Sequence, residues 1–152
     1  MAAKITKGIV FEGGSFVLLA RILGADGEPV VQASFTDIDY EVWSIPVPLE
    51  ERRGDWTTKF VNVDIPANEV VETAMVIAAV IFDTLQTDDR WTVDTTGYNF
   101  AFEAPAATLP ASDLEDYPQI PWYNVAVKFT PAVGEVFFAQ FNLQAVPNLF
   151  GK

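Results

Sequence analysis

The sequence predicts an all-β protein: a single antiparallel β-sandwich of about eight strands with two proline-rich loops, residues 1–152 forming one domain. Two observations carry this. Apolar and polar residues alternate with period two in several stretches, and β-branched and aromatic side chains fill the apolar positions, as a pleated, half-buried surface requires. Turn residues separate those stretches at spacings of roughly 8–12 residues, with no long helical pattern and no internal repeat.

In chain order, Ile5 to Phe11 reads as an edge strand. Ser15 to Ile22 is an apolar strand closed by Gly24-Ala25-Asp26-Gly27-Glu28-Pro29, whose glycines and aspartate supply turn conformations. Ile38, Tyr40 and Val42 alternate with Asp39, Glu41 and Trp43, which predicts a strand with one exposed face. Thr57 to Val63 is a further candidate, with Phe60 inward or Lys59 outward. The run Ala74 to Phe82 admits a helical turn through its alanines, but the β-branched content of Val76 to Phe82 favours a strand. Tyr98, Phe100 and Phe102 alternate with Asn99, Ala101 and Glu103, again predicting one wet face. The clearest pattern comes last. Tyr123, Val125, Val127 and Phe129 share a side opposite Asn124 and Lys128, and Phe137, Phe141 and Leu143 oppose Gln140, Asn142 and Gln144. Pro131 and Gly134 between them suit a reversal, so these two segments read as a hairpin.

Two longer connections interrupt this scheme. Ser44 to Trp56 contains Pro46, Pro48 and Glu50-Glu51-Arg52-Arg53, and Glu103 to Pro121 contains Pro105, Pro110, Pro118 and Pro121. Proline removes a ladder donor and stiffens the chain, which suits contact arms. Residues 1–4 and 147–152 read as terminal arms.

Composition narrows the chemistry. The chain has no histidine and no cysteine, which excludes Ser-His-Asp and Cys-His catalysis, thiolate and imidazole zinc sites, and disulfides. Its 21 acidic against 9 basic side chains give a net charge of -12, which repels a phosphate backbone, so no nucleic-acid partner is expected. Half the residues are hydrophobic and mean hydropathy is +0.20, yet no apolar run approaches the roughly 20 residues of a membrane helix. Near the N-terminus, Lys4 and Lys7 are followed only by the short apolar stretch Phe16 to Ala20 and then Arg21, so no export signal is read and synthesis in a cytoplasm is expected.

Candidate sites are few. Asp83, Asp88, Asp89 and Asp94 form the densest acidic stretch, and Asp88, Asp89 and Asp94 are candidate Ca²⁺ ligands because hard cations want converging oxygens. Their spacing departs from the D-x-D-x-D-G loop and Arg90 competes for the carboxylates, so a solvated turn is preferred and no cofactor is expected. Asp113, Glu115 and Asp116 read as a solubilising face. Among the tryptophans, Trp43, Trp56 and Trp122 fall where exposure and sugar stacking are admissible, although core or interface packing is the preferred reading. Arg52-Arg53 balances Glu50-Glu51, and Gly13-Gly14-Ser15 lacks a following helix and reads as a turn.

Tyr123-Asn124-Val125 resembles the immunoglobulin arrangement in which a tyrosine at the start of strand F stands two residues before the second cysteine, here replaced by valine. Val17 to Ile22 followed by Asp26-Gly27-Glu28-Pro29-Val30, then Asp37-Ile38-Asp39-Tyr40-Glu41-Val42, then Tyr123 to Phe129, resemble the small immunoglobulin-like domains of tailed-bacteriophage structural proteins, including the N-terminal domain of baseplate upper proteins. Thr84 to Phe100 is similar to uncharacterised prophage-type proteins. The resemblance runs from about Ile5 to Val146 and rests on turn-and-strand patterns. The baseplate family's second, receptor-carrying region has no counterpart here, which implies a chain acting as a whole subunit. What the resemblance implies is a non-enzymatic virion subunit, a capsid decoration, adaptor or tail-associated protein, placed in a symmetric assembly with itself or with capsid or tail subunits. Interaction candidates are Trp56, Trp122, Arg52, Arg53, Leu149 and Phe150, the last two being apolar where a free terminus is ordinarily polar. Two alternatives stay open: a carbohydrate-binding module using surface tryptophans, and a Ca²⁺-stabilised adhesion domain using Asp88, Asp89 and Asp94.

Overall fold

Strand β7 (Trp122–Pro131) and strand β8 (Phe137–Val146) form the expected hairpin, paired antiparallel from Trp122 opposite Gln144 to Phe129 opposite Phe137. The alternation does what the sequence requires. Tyr123, Val125, Val127 and Phe129 are buried, as are Phe141 and Leu143, while Asn124 on the other side donates to Asn142 across the pair at 2.6 Å. The computed structural model describes residues 5–11, 14–45, 70–105, 108 and 122–146.

The other elements are β1 (Ile5–Phe11), β2 (Phe16–Ala20), β3 (Phe35–Ile45), β4 (Val70–Ala74), a helical turn α1 (Ile77–Val80), β5 (Ile81–Gln86) and β6 (Tyr98–Ala104). They make two sheets, ordered β1-β8-β7-β3-β4 and β2-β6-β5. With β2, β3, β5, β6, β7 and β8 as strands B, C, D, E, F and G, this is the immunoglobulin order, and β4 takes the place of the strand that variable domains add beside C. Tyr123 stands buried at the start of β7, two residues before the fully buried Val125. One pairing is not antiparallel: β1 runs parallel to β8, from Ile5 opposite Gln140 to Phe11 opposite Val146.

The core lies between the sheets. Leu18, Val80, Ile81 and Phe100 on one side meet Ile38, Val42, Val125, Val127, Phe129 and Phe141 on the other. Phe100 crosses the interface, edge-on to Phe129 at 5.5 Å and stacked on Phe141 at 6.5 Å, and Phe129 stacks on Phe137 at 4.9 Å. Such pairs add to the area they bury.

Several expectations need correction. Val76 to Phe82 is not one strand: Ala79 N–H bonds to Val76 C=O at 2.9 Å, closing the turn α1, and β5 begins only at Ile81. The chain has to cross here from β4 in one sheet to β5 in the other, and a helical turn with exposed Ala78 and Ala79 makes the crossing while Met75 and Val80 stay buried. Strand β4 was not foreseen, and the candidate strand Thr57 to Val63 lies outside the described residues. The wet faces are also less wet than alternation predicts. Asn99 is wholly buried, Ala101 is buried, and Asp39 is 7% exposed, because neighbouring segments cover them. Ser15 to Ile22 shortens to β2, with Leu23 then bridged to Pro29 across the foreseen turn. Of the second proline-rich loop only Glu103 to Pro105 and Thr108 are described, and Thr108 is buried.

Candidate functional site

Three connections leave the sandwich at one end. Strands β2, β5 and β7 finish where β6, β3 and β8 start: Ala20 lies opposite Phe100, Gln86 opposite Tyr98, and Phe35 opposite Pro131. Residues 21–34, 87–97 and 132–136 therefore share that end. It carries the densest polar chemistry of the described residues.

Each loop is fastened. The Asn99 side chain accepts from Ile22 N–H at 2.7 Å and donates to the carbonyls of Ile22 and Val30 at 3.0 and 2.9 Å, so one buried amide on β6 replaces a strand partner for the first loop. Gln32 N–H donates to Asp83 at 2.7 Å and its side chain to Ile81 C=O at 3.1 Å, tying the same loop to β5. The hairpin turn is joined to it by Ala132 N–H on Ser34 C=O at 2.9 Å.

Two carboxylates organise the middle loop. Asp94 accepts from the Arg21 guanidinium, from Trp91 Nε1 at 3.0 Å and from the backbone N–H groups of Thr96 and Gly97. Arg21 and then Trp91 hold its carboxyl far below the usual carboxylate range. Asp88 accepts from Arg90 at 2.8 Å and from the Tyr98 hydroxyl at 2.6 Å, and these donors hold it low in the same way. Burial, then the hydrogen bond to Asp88, pushes the Tyr98 hydroxyl up. Gly97 closes the loop at φ 99°, a conformation side chains rarely adopt, and a Cβ there would collide with the Gln86 carbonyl.

A second polar cluster sits on the outer face of the five-stranded sheet. Lys128 on β7 donates to Glu72 on β4 at 2.6 Å and lies 3.7 Å from Asp39 on β3, and the three border a shallow depression with Tyr40 and Phe138. Burial is the main reason the Asp39 carboxyl is raised, with the charge of Asp37 adding to it. Lys128 is the main reason Glu72 is lowered.

The sequence-named residues divide accordingly. Asp88 and Asp94 lie in the same loop, yet each faces an arginine rather than the other, and Asp89 is exposed with no ion pair among the described residues. No group of three acidic side chains among the described residues is placed to hold a metal ion. Trp91 is engaged within the fold, half-buried under the Arg21 guanidinium carbon at 5.9 Å from its ring. Trp43 lies on β3 opposite Asn124, and Trp122 on β7 opposite Ile45 and Gln144. Trp56, Arg52, Arg53, Leu149 and Phe150 lie outside the described residues. Sequence reasoning missed Asn99, Arg21 and the Asp39–Glu72–Lys128 cluster; the one signal for Asn99 was an amide placed between Tyr98 and Phe100 in a strand.

The geometry defines a β-sandwich of immunoglobulin order with a fastened three-loop end. No family model, curated protein or solved structure matches the chain.

Proposed function

We propose that the chain is a non-enzymatic structural subunit of a bacteriophage virion, a capsid decoration, adaptor or tail-associated protein that works through protein–protein contacts. One observation carries the contact role: the fastened loops hold apolar side chains out in solvent, Val133 at 92% exposure, Val93 at 64% and Val136 at 44%. A valine held out on an ordered loop contributes nothing to its own fold, whereas it lowers the cost of association because the loop has already lost its freedom. The virion setting is supported by the resemblance of Val17 to Val42 and Tyr123 to Phe129 to phage immunoglobulin-like domains, and the non-enzymatic reading by a sequence without histidine or cysteine. On this reading the chain is made in the bacterial cytoplasm and joins a symmetric particle, binding neither nucleic acid nor membrane and needing no cofactor. Trp122, Leu149 and Phe150 are further contact candidates.

The test is immunogold electron microscopy of particles from the host culture with antibody to the recombinant chain. Label on heads supports a decoration subunit and label on tails a tail or baseplate role. Particles without label overturn the reading.

A further inference from the structure

We propose that the outer face of the five-stranded sheet binds a neutral polysaccharide, with the side-chain amides of β7 and β8 as its polar part and tryptophan at positions 43 and 122 as its stacking part. This goes beyond the subunit reading and does not depend on it. It assigns Trp122 to a ligand rather than to a neighbouring subunit.

Register builds the face. Val42, Tyr123, Val125, Phe141 and Leu143 are buried in the core, so the positions between them belong to the other side of the sheet. There Trp43 stands opposite Asn124 and Asn124 opposite Asn142, while Trp122 stands opposite Gln144 and Ala126 opposite Gln140. Positions 43 and 122 lie on adjacent strands one row apart, diagonal neighbours at roughly 7–8 Å. Four amides on one pair of strands thus adjoin two tryptophan positions.

The amides are open to a ligand. Asn124, Gln140, Asn142 and Gln144 are each half-buried, so part of each meets solvent. Asn124 donates to Asn142 at 2.6 Å, which uses one donor and one acceptor. The Asn124 side-chain oxygen, the Asn142 side-chain nitrogen and both glutamine amides have no hydrogen-bond partner among the described residues. An amide presents a donor and an acceptor side by side, and neighbouring hydroxyls on a sugar ring each give and take one bond.

Charge selects the kind of ligand. The chain carries -12, yet the three rows at positions 41, 43 and 45 of β3 hold one acid and one base, Glu41 and the Lys7 of β1, with isoleucine at flank positions 5, 9 and 45. The row beyond them is matched within itself, Lys128 with Glu72 and Asp39, and the shallow depression it borders reaches the small Ala126 at the centre of the face. A charged ligand gains little from such a face, whereas a neutral polyhydroxylated one meets amides for its hydroxyls and indole for its C–H faces. The apolar side chains suited to a protein contact, Val93 and Val133, stand on the loops instead.

The test uses the full chain, isotope-labelled and titrated with cellohexaose, maltohexaose, mannohexaose and N-acetylchitohexaose, with hexagalacturonate as the charged control. At least one neutral sugar should shift the side-chain amide resonances of Asn124, Gln140, Asn142 and Gln144 and leave those of Gln32 and Asn99 in place, and hexagalacturonate should shift none. Trp43→Ala with Trp122→Ala should weaken binding at least about tenfold. Gln140→Ala with Gln144→Ala, which removes only half-buried side chains, should weaken it while the melting temperature is kept. Silence with all four neutral sugars, shifts confined to the loops, equal shifts from hexagalacturonate, or full affinity in the glutamine variant would each overturn the proposal. So would amide shifts that follow protein concentration and no sugar, which would make this face a contact between copies.

Discussion

The two sheets of this sandwich are held in different ways. The five-stranded sheet is apolar and periodic: Val125, Val127, Phe129 and Phe141 face the core at alternate positions, and the aromatic stack through Phe129 joins them. The three-stranded sheet packs Phe100 and Leu18 into the same core, but its loop end depends on a buried amide, two arginine-held carboxylates and a glycine at positive φ. Nonspecific burial is sufficient for the first; the second works only with particular atoms in place.

Substitutions can break this contrast. The largest effect is expected from Phe129→Ala, which removes a fully buried ring and should cost about 3–5 kcal/mol in urea unfolding. Asn99→Leu keeps the branched outline of the side chain but strands Ile22 N–H and two carbonyls, and should cost about 2–4 kcal/mol. If Asn99→Leu were neutral, the loop end would not depend on its polar atoms and the contrast would fail.

A smaller effect sharpens it through sign. The Asp94 carboxyl is held low in the fold, so it stabilises at neutral pH, and that contribution starts to fall below about pH 4, where the unfolded carboxylate takes its proton, and is lost only as pH drops through the lower folded value. The Asp39 carboxyl is raised, so its charge opposes folding at neutral pH and protonation relieves that opposition as pH falls through its raised value. Urea midpoints measured from pH 7 to pH 3 should show Asp94→Asn less stable than the parent at neutral pH and Asp39→Asn more stable, with both gaps narrowing toward pH 3. Gaps of the same sign would show that the two acids do not sit in opposite environments.

What could be read in advance follows the same division. In β7 and β8 the residues that alternation turns inward do face the core, because one face meets the core and the other meets water, and only Ala139 of the described inward set goes unnamed. Arg90 was seen as a competitor for Asp88 because it lies two residues away, whereas Arg21 and Asp94 are 73 positions apart and nothing local pairs them. Asn99 and Asp39 were given to solvent because alternation knows only the strand it runs along. The segment that covers Asn99, from Ile22 to Val30, arrives from another part of the chain. The turn α1, which the alanines of Ala74 to Phe82 admit, loses to a strand in the sequence for a related reason: Val76 to Phe82 is rich in β-branched side chains, and the change of sheet that decides for the turn is not a local property.

The parallel pairing of β1 with β8 also sets an order of events. Ile5 meets Gln140 and Phe11 meets Val146, so the first of the described strands pairs with the last. Contacts of such long sequence separation form late and slow folding. Until the C-terminal hairpin has emerged, β1 waits with both backbone edges unpaired, and a neighbouring nascent chain that has already made its β8 offers it the same partner.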